Sequence, residues 1–499
     1  MTGRSSTRHL LAVLALQALW IVQPASAQVP LPKDLISPEV PHDVPAGSGA
    51  SIQDLAIFAW REFIALNWAA LDPATTGTRG RSNVNADFLT IKADSAGSYP
   101  LLVWQTYRHK NELFPAGGQT DPSFDSRAPS YKYTGPPITA ANNATLDIFN
   151  NLDESSEIGL CNMFAHKDIR LVYEAKVSRA VFDYANKNGL TKCDKLGNCS
   201  TLDAALTKTK GNLAQYGGIC SSDPSIVSLP CGDAKVDGDA GEGAIEIKAA
   251  WRRLTDAEIK SGRFYTRKVI YYTGQQFVNQ QYNNAVFGLV ALHIIHKTKS
   301  FPTFVFASWE QVDNFDDATN KNTENLRFEN TGTNLPNIPV TRAHPIHSQI
   351  PPVNDAVHAA FKAKDPTTVW QYYKLIGVQA MPIDGPPMSS ASSDTYSYYY
   401  LANIVVETNQ TLQNFFGAAP NGVTVPFKNV YLNGASGSPF QMGGCQGCHG
   451  TQGQSIGGDM SRLIGAAPSN STAPPESIDA DERASLRSFI ERSAAVSRR

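Results

Sequence analysis

The sequence predicts an α+β protein, a large strand-rich domain with peripheral helices followed by a small helical C-terminal segment. Three observations carry this. β-Branched and aromatic runs recur through the middle of the chain, separated by Gly, Pro, Asn and Asp clusters, the punctuation of strands. One apolar helical stripe precedes them, at positions 55, 56, 59, 63 and 66. The strand spacing is irregular and no internal repeat is present, which argues against propellers and solenoids.

The elements follow in chain order. Arg4 and Arg8 precede the apolar run LLAVLALQALWIV at 10–22, and Ala25-Ser26-Ala27 supplies a small-x-small cleavage site, so 1–27 reads as a secretory signal peptide. The run falls short of the about 20 apolar residues that span a bilayer. No comparable run follows, since NAVFGLVALHII at 284–295 has the length of a buried strand or helix. The expectation is a soluble periplasmic chain without a membrane span after cleavage. Residues 28–50 form a Pro-rich arm. Ser51 and Asp54 then make a capping box for LAIFAWREFIALNWAAL, and with Ile57, Phe58, Trp60 and Ile64 also apolar this helix should be buried on most sides.

Strands are expected for LLVWQTY (101–107), IRLVYEAKV (169–177), AIEIKAAW (244–251), FYTRKVIYYT (264–273) and FPTFVFASW (301–309). YSYYYLANIVVET at 396–408 reads as strand or helix. Further helices are expected around 357–363 and over 477–493, the latter with Asp479 and Asp481 in its first turn. The chain thus divides into a large α+β domain at 51–430 and a tail segment at 431–499. The formal charge of -2 with mixed signs gives no reason to expect nucleic acid or an anionic membrane as partner.

Seven cysteines fall into two groups. Cys161, Cys193, Cys199, Cys220 and Cys231 share one loop-rich region, which in an exported chain reads as two disulfides and one thiol left over. Short enclosed loops favour Cys193 with Cys199 and Cys220 with Cys231. A four-cysteine zinc site is the alternative, but no second Cys-x-x-Cys pair accompanies it.

The other group lies in GGCQGCHGTQG at 443–453, where Cys445, Cys448 and His449 form Cys-x-x-Cys-His. Two thiols three positions apart can form thioethers to one edge of a porphyrin and hold the adjacent His under the iron, so the motif reads as a covalent haem c site. A thioredoxin-like redox pair would want a helix start after a strand, which Gly443, Gly444 and Gly447 do not resemble. Half a zinc site would need further ligands close by in sequence.

CQGCHG at 445–450 resembles the haem-attachment site of the c-type cytochromes. The resemblance implies that Cys445 and Cys448 anchor one covalent haem and that His449 is its proximal iron ligand. EIKAAWRRLT (246–255) and GLVALHIIHKT (288–298) are similar to strings of large exported single-haem proteins, a group to which no defined activity attaches. The layout departs from the small soluble cytochromes, which place the motif early and a ligand Met many tens of residues later. Here 50 residues follow His449, and the Met among them is Met460.

Distal candidates are therefore Met460 and, in the large domain, His293. His296 lies three positions after His293, which puts the two on opposite faces of a strand or the same face of a helix. His344 and His347 in a Pro-flanked loop, and Met381 and Met388, are further candidates. DAKVDGDAGEG at 233–243 lacks the calcium-loop spacing and reads as a solvated acidic loop. Neither a phosphate-binding Gly loop nor a nucleophile elbow is present.

Two functions compete. A six-coordinate haem would pass single electrons to a redox partner protein. An open distal site would instead make the chain a haem-dependent oxidoreductase of peroxidase or oxidase type, with a small-molecule pocket in the large domain and His293 as proton shuttle. A haem sensor or structural staple is the third reading.

Overall fold

The structure, a computed structural model, describes residues 29–114, 123–126, 163–166, 169–194, 198–273, 281–319, 321–324, 326–328, 338–339, 346–380, 405, 429–430, 440–441, 445, 449 and 456–465. The expected signal segment, the expected helix at 477–493, Cys161, Cys448, His344, Met381, Met388 and most of the tyrosine-rich run at 396–408 lie outside the described residues.

The fold is α+β, as the sequence predicts, and its centre is an antiparallel sheet. In chain order its first strands are β1 (Arg108–His109), β2 (Met163–Ala165), β3 (Ile169–Val177), β4 (Ala244–Arg253), β5 (Thr266–Thr273), β6 (Gln281–Lys297) and β7 (Val305–Gln311). β8 (Phe315–Asp316) and β9 (Lys321–Asn322) form a separate small hairpin. β10 (Arg327–Phe328), β11 (Ile338–Pro339) and β12 (Tyr373–Gln379) complete a ten-stranded sheet of order β11-β10-β2-β3-β4-β6-β7-β12, with β1 on β3 and β5 on β6. β6 is long enough to take β5 along its first half and β7 along its second.

β3 occupies the residues expected of it, and β4, β5 and β7 match their runs to within a few residues. The run at 101–107 does not form a strand. Trp104–Thr106 is a 3₁₀ turn, and Leu102 makes only an isolated bridge to Ala69. Local bonds compete with the ladder there: Gln105 Oε1 takes the Leu102 N–H at 2.9 Å, and Thr106 Oγ1 donates to the Val103 carbonyl at 2.7 Å. Apolar content announces burial, and here the turn delivers it.

The first helix, Ile52–Leu66, starts from the expected Ser51/Asp54 capping box and buries eleven of its fifteen residues, so it lies inside the domain. It packs with the helix Ile350–Lys364, longer than the expected 357–363 and opened by Pro at its start. Trp60 Nε1 donates to Asn354 Oδ1 at 3.0 Å, and Asn354 Nδ2 donates to the Leu375 carbonyl at 2.8 Å, tying both helices to β12. Both disulfides have the expected partners, Cys193–Cys199 and Cys220–Cys231. The acidic loop at 233–243 exposes 234–238 and 240 to solvent, as expected, while Asp233 pairs with Lys299 and Asp239 with Arg81 and Arg179.

Register fixes which side chains share a face. Lys248, His293 and Ser308 are cross-strand partners, as are Glu246, Ile295 and Phe306, and Lys297 lies two positions beyond Ile295 on the same side. The opposite face carries Ile247, Ile294 and Ala307, then Ala249, Leu292 and Trp309, with His296 beside Val305. The first helix covers this second face, where Phe63 and Trp60 meet Trp309 at ring-centre distances of 5.1 and 6.3 Å.

Candidate functional site

The tail segment 456–464 lies against the first face. Its course begins with a left-handed turn: φ is +94° at Gly457, +55° at Asp459 and +68° at Met460. Glycine is required at 457, since a Cβ there would collide with the Leu206 carbonyl of the helix Ser200–Gly211. Asp tolerates the left-handed region better than most residues, whereas Met does not, so Met460 stores strain that its surroundings must hold.

Those surroundings are polar and buried. The Asp459 carboxylate pairs with Lys297 Nζ, both side chains being fully buried, and takes the Leu229 N–H at 2.6 Å. Lys297 Nζ also donates to the Ile219 carbonyl at 2.7 Å. Ile219 immediately precedes Cys220 and Leu229 lies within the Cys220–Cys231 loop, so that disulfide braces one wall of the seat. Ser461 donates to Glu246 and caps the short helix Arg462–Gly465, accepting from Ile464 N–H at 2.9 Å. Burial pushes the Asp459 carboxyl up to about 6 against the pull of Lys297. Burial likewise pushes Glu246 up to about 7, with the Ser461 hydroxyl opposing and the Asp459 charge adding to it.

The turn delivers one carbonyl. His449 Nδ1 donates to the Met460 carbonyl at 2.7 Å. A carbonyl only accepts, so the proton sits on Nδ1 and Nε2 keeps its lone pair. The His449 ring lies 4.8 Å from Phe306 and 6.1 Å from His293, inclined 36° to the latter. His293 Nδ1 in turn bonds Ser308 Oγ. Burial lowers both imidazoles to about 3; His449 and then Lys248 add to this at His293, Arg462 and then Lys248 at His449. Both rings are neutral, the form a metal requires of imidazole.

The other expected residues fall as follows. Cys445 packs half-buried against the main core. The Met460 side chain is fully buried in that same core. His296 points to the opposite face, as strand parity requires, where Nδ1 lies 2.6 Å from Glu62 on the first helix and Nε2 meets the Glu242 carbonyl. His347 takes the Gln349 N–H at 3.2 Å, just before the helix Ile350–Lys364. Among the described residues, no group of three or more His, Cys, Asp or Glu side chains converges as a metal cage.

Lys248, Lys297, Ser308 and Asp459 belong to the site without having been read as such. A partial signal existed, because Lys297 falls an even number of positions after His293 and ends an apolar strand. No protein-family model, curated protein or solved structure matches the chain. Among the described residues, no helix is long and apolar enough to cross a membrane.

Proposed function

We propose that the chain is an exported c-type cytochrome that carries one covalent haem and exchanges single electrons with a redox partner protein. Cys445 and Cys448 are its anchors, His449 its proximal ligand, and His293 the ligand from the large domain. The observation that carries the reading is the pair of imidazoles, His449 and His293, with centres 6.1 Å apart and both Nδ1 atoms engaged. Two imidazoles bonded to one metal at about 2.0–2.1 Å each have centres about 6 Å apart. A ligating His ordinarily spends its second nitrogen on a carbonyl or other acceptor, and His449 does so.

His293 is a better second ligand than Met460. The Met460 carbonyl is bonded to His449 Nδ1, the nitrogen directed away from Nε2, and the Met460 side chain is fully buried in the main core. When bound, haem supplies one-electron chemistry. The residues of the chain hold both imidazoles neutral, and the Met460 carbonyl fixes the His449 tautomer with its proton on Nδ1. The small-x-small site at 25–27 and the two disulfides support export to the periplasm, where the motif would be loaded.

Production with a cytochrome c maturation apparatus tests this. Haem should stay with the denatured chain, and Cys445→Ala with Cys448→Ala should abolish that retention. Wild-type protein that releases its haem on denaturation, or takes up none, sinks the reading.

A further inference from the structure

The buried ion pair that seats the tail lies where it can control the proximal imidazole. Lys297 ends β6, four positions after His293 and on the same face, and Asp459 immediately precedes Met460. The pair is fully buried on both sides. Two contacts converge on the Asp459–Lys297 unit, the Leu229 N–H and the Ile219 carbonyl, and the Glu246–Ser461 bond pins the chain two residues further along.

A surface ion pair would do little here, but a buried and hydrogen-bonded one holds a single geometry. What it holds is a turn with two non-glycine residues in the left-handed region, a conformation that costs about 1–3 kcal/mol per residue unless neighbours impose it. The reward of that conformation is the direction of one carbonyl, the acceptor of His449 Nδ1–H.

We propose that Asp459 and Lys297 are positioning residues for His449: their ion pair locks the Gly457–Met460 turn so that the Met460 carbonyl receives the Nδ1–H and tunes the imidazole as an iron ligand. This rests on the haem reading above. A carbonyl on Nδ1–H makes the imidazole more basic, and a more basic ligand favours ferric over ferrous iron. Loosening the turn removes that bias.

The experiment is a redox titration of the full chain carrying covalent haem, followed by optical spectroscopy. Asp459→Asn keeps the shape and removes the charge; Gly457→Ala displaces the turn through its contact with Leu206 and leaves the charges alone. In both, the ferrous-to-ferric ratio at a fixed poise is expected to rise about 10-fold, the lower end of the effect of outer partners on a metal site. Trp309→Ala, on the opposite face, destabilises the fold and should leave the ratio unchanged. If Asp459→Asn does not accumulate, Gly457→Ala decides alone. A ratio within twofold of wild type in haem-loaded Gly457→Ala overturns the assignment, as does an equal shift in Trp309→Ala. Failure of the haem reading itself shows separately, as wild-type protein with no covalent haem.

Discussion

The two faces of the central sheet share every strand and differ in what they bury. On one, the first helix presses Trp60 and Phe63 ring to ring onto Trp309 and buries the Glu62–His296 pair beside them. On the other, Glu246, Lys248, His293, Lys297 and Ser308 are all buried at 6 % exposure or less, and the tail lies across them. Burying charge and imidazole costs more than burying rings, and it is tolerated only where each group has a partner. The aromatic face makes the protein stable. The polar face is where a site is held.

The comparison breaks down if variants on the two faces behave alike. Trp309→Ala should cost about 3–5 kcal/mol in denaturant unfolding, as large aromatic deletions in cores do, with the haem spectrum unchanged. Lys297→Met leaves the Asp459 carboxylate buried without its counter-charge and should cost about 3–5 kcal/mol. Adding Asp459→Asn, which removes the charge, tolerates the left-handed backbone and keeps an acceptor for the Leu229 N–H, should recover most of that loss, and the unfolding curve of the double variant measures it. A double variant as unstable as the single one would show that the pair is not the source of the cost.

Removing the Cys220–Cys231 bridge by paired Ser substitution should cost about 2–4 kcal/mol, with faster proteolysis around 456–465 as the wall that carries Ile219 and Leu229 loosens. The smallest effect is a pH slope. Burial raises Glu246 from 4.5 to about 7, with Ser461 opposing and Asp459 adding. The native chain therefore keeps a proton that the unfolded chain loses near 4.5. Stability from this group is complete below that value and is lost as pH rises through about 7. The slope is at most about 1.4 kcal/mol per pH unit, and Glu246→Gln should flatten it.

What the sequence makes legible is local. The capping box at Ser51 and Asp54, the β3 run and the two short-loop disulfides each depend on residues within a dozen positions of one another. So does Cys-x-x-Cys-His, whose spacing is set by covalent chemistry. The helices Arg179–Lys187 and Ser200–Gly211 went unread because their buried stripes are short and interrupted by polar residues. The run at 101–107 misled because apolar residues report burial and not backbone shape. Lys297 and Asp459 are 162 positions apart, and no local pattern links them. His293 was legible as a candidate because an imidazole in an apolar strand needs a partner, while His449 as its neighbour needed the fold.

Exposure of ferrous wild-type protein to carbon monoxide tests the central claim most directly. With His449 and His293 both on the iron, the spectrum should not change, and His293→Ala should bind carbon monoxide readily. Wild-type protein that binds it as readily as His293→Ala would contradict the account and return the large domain to the role of a substrate pocket over an open haem.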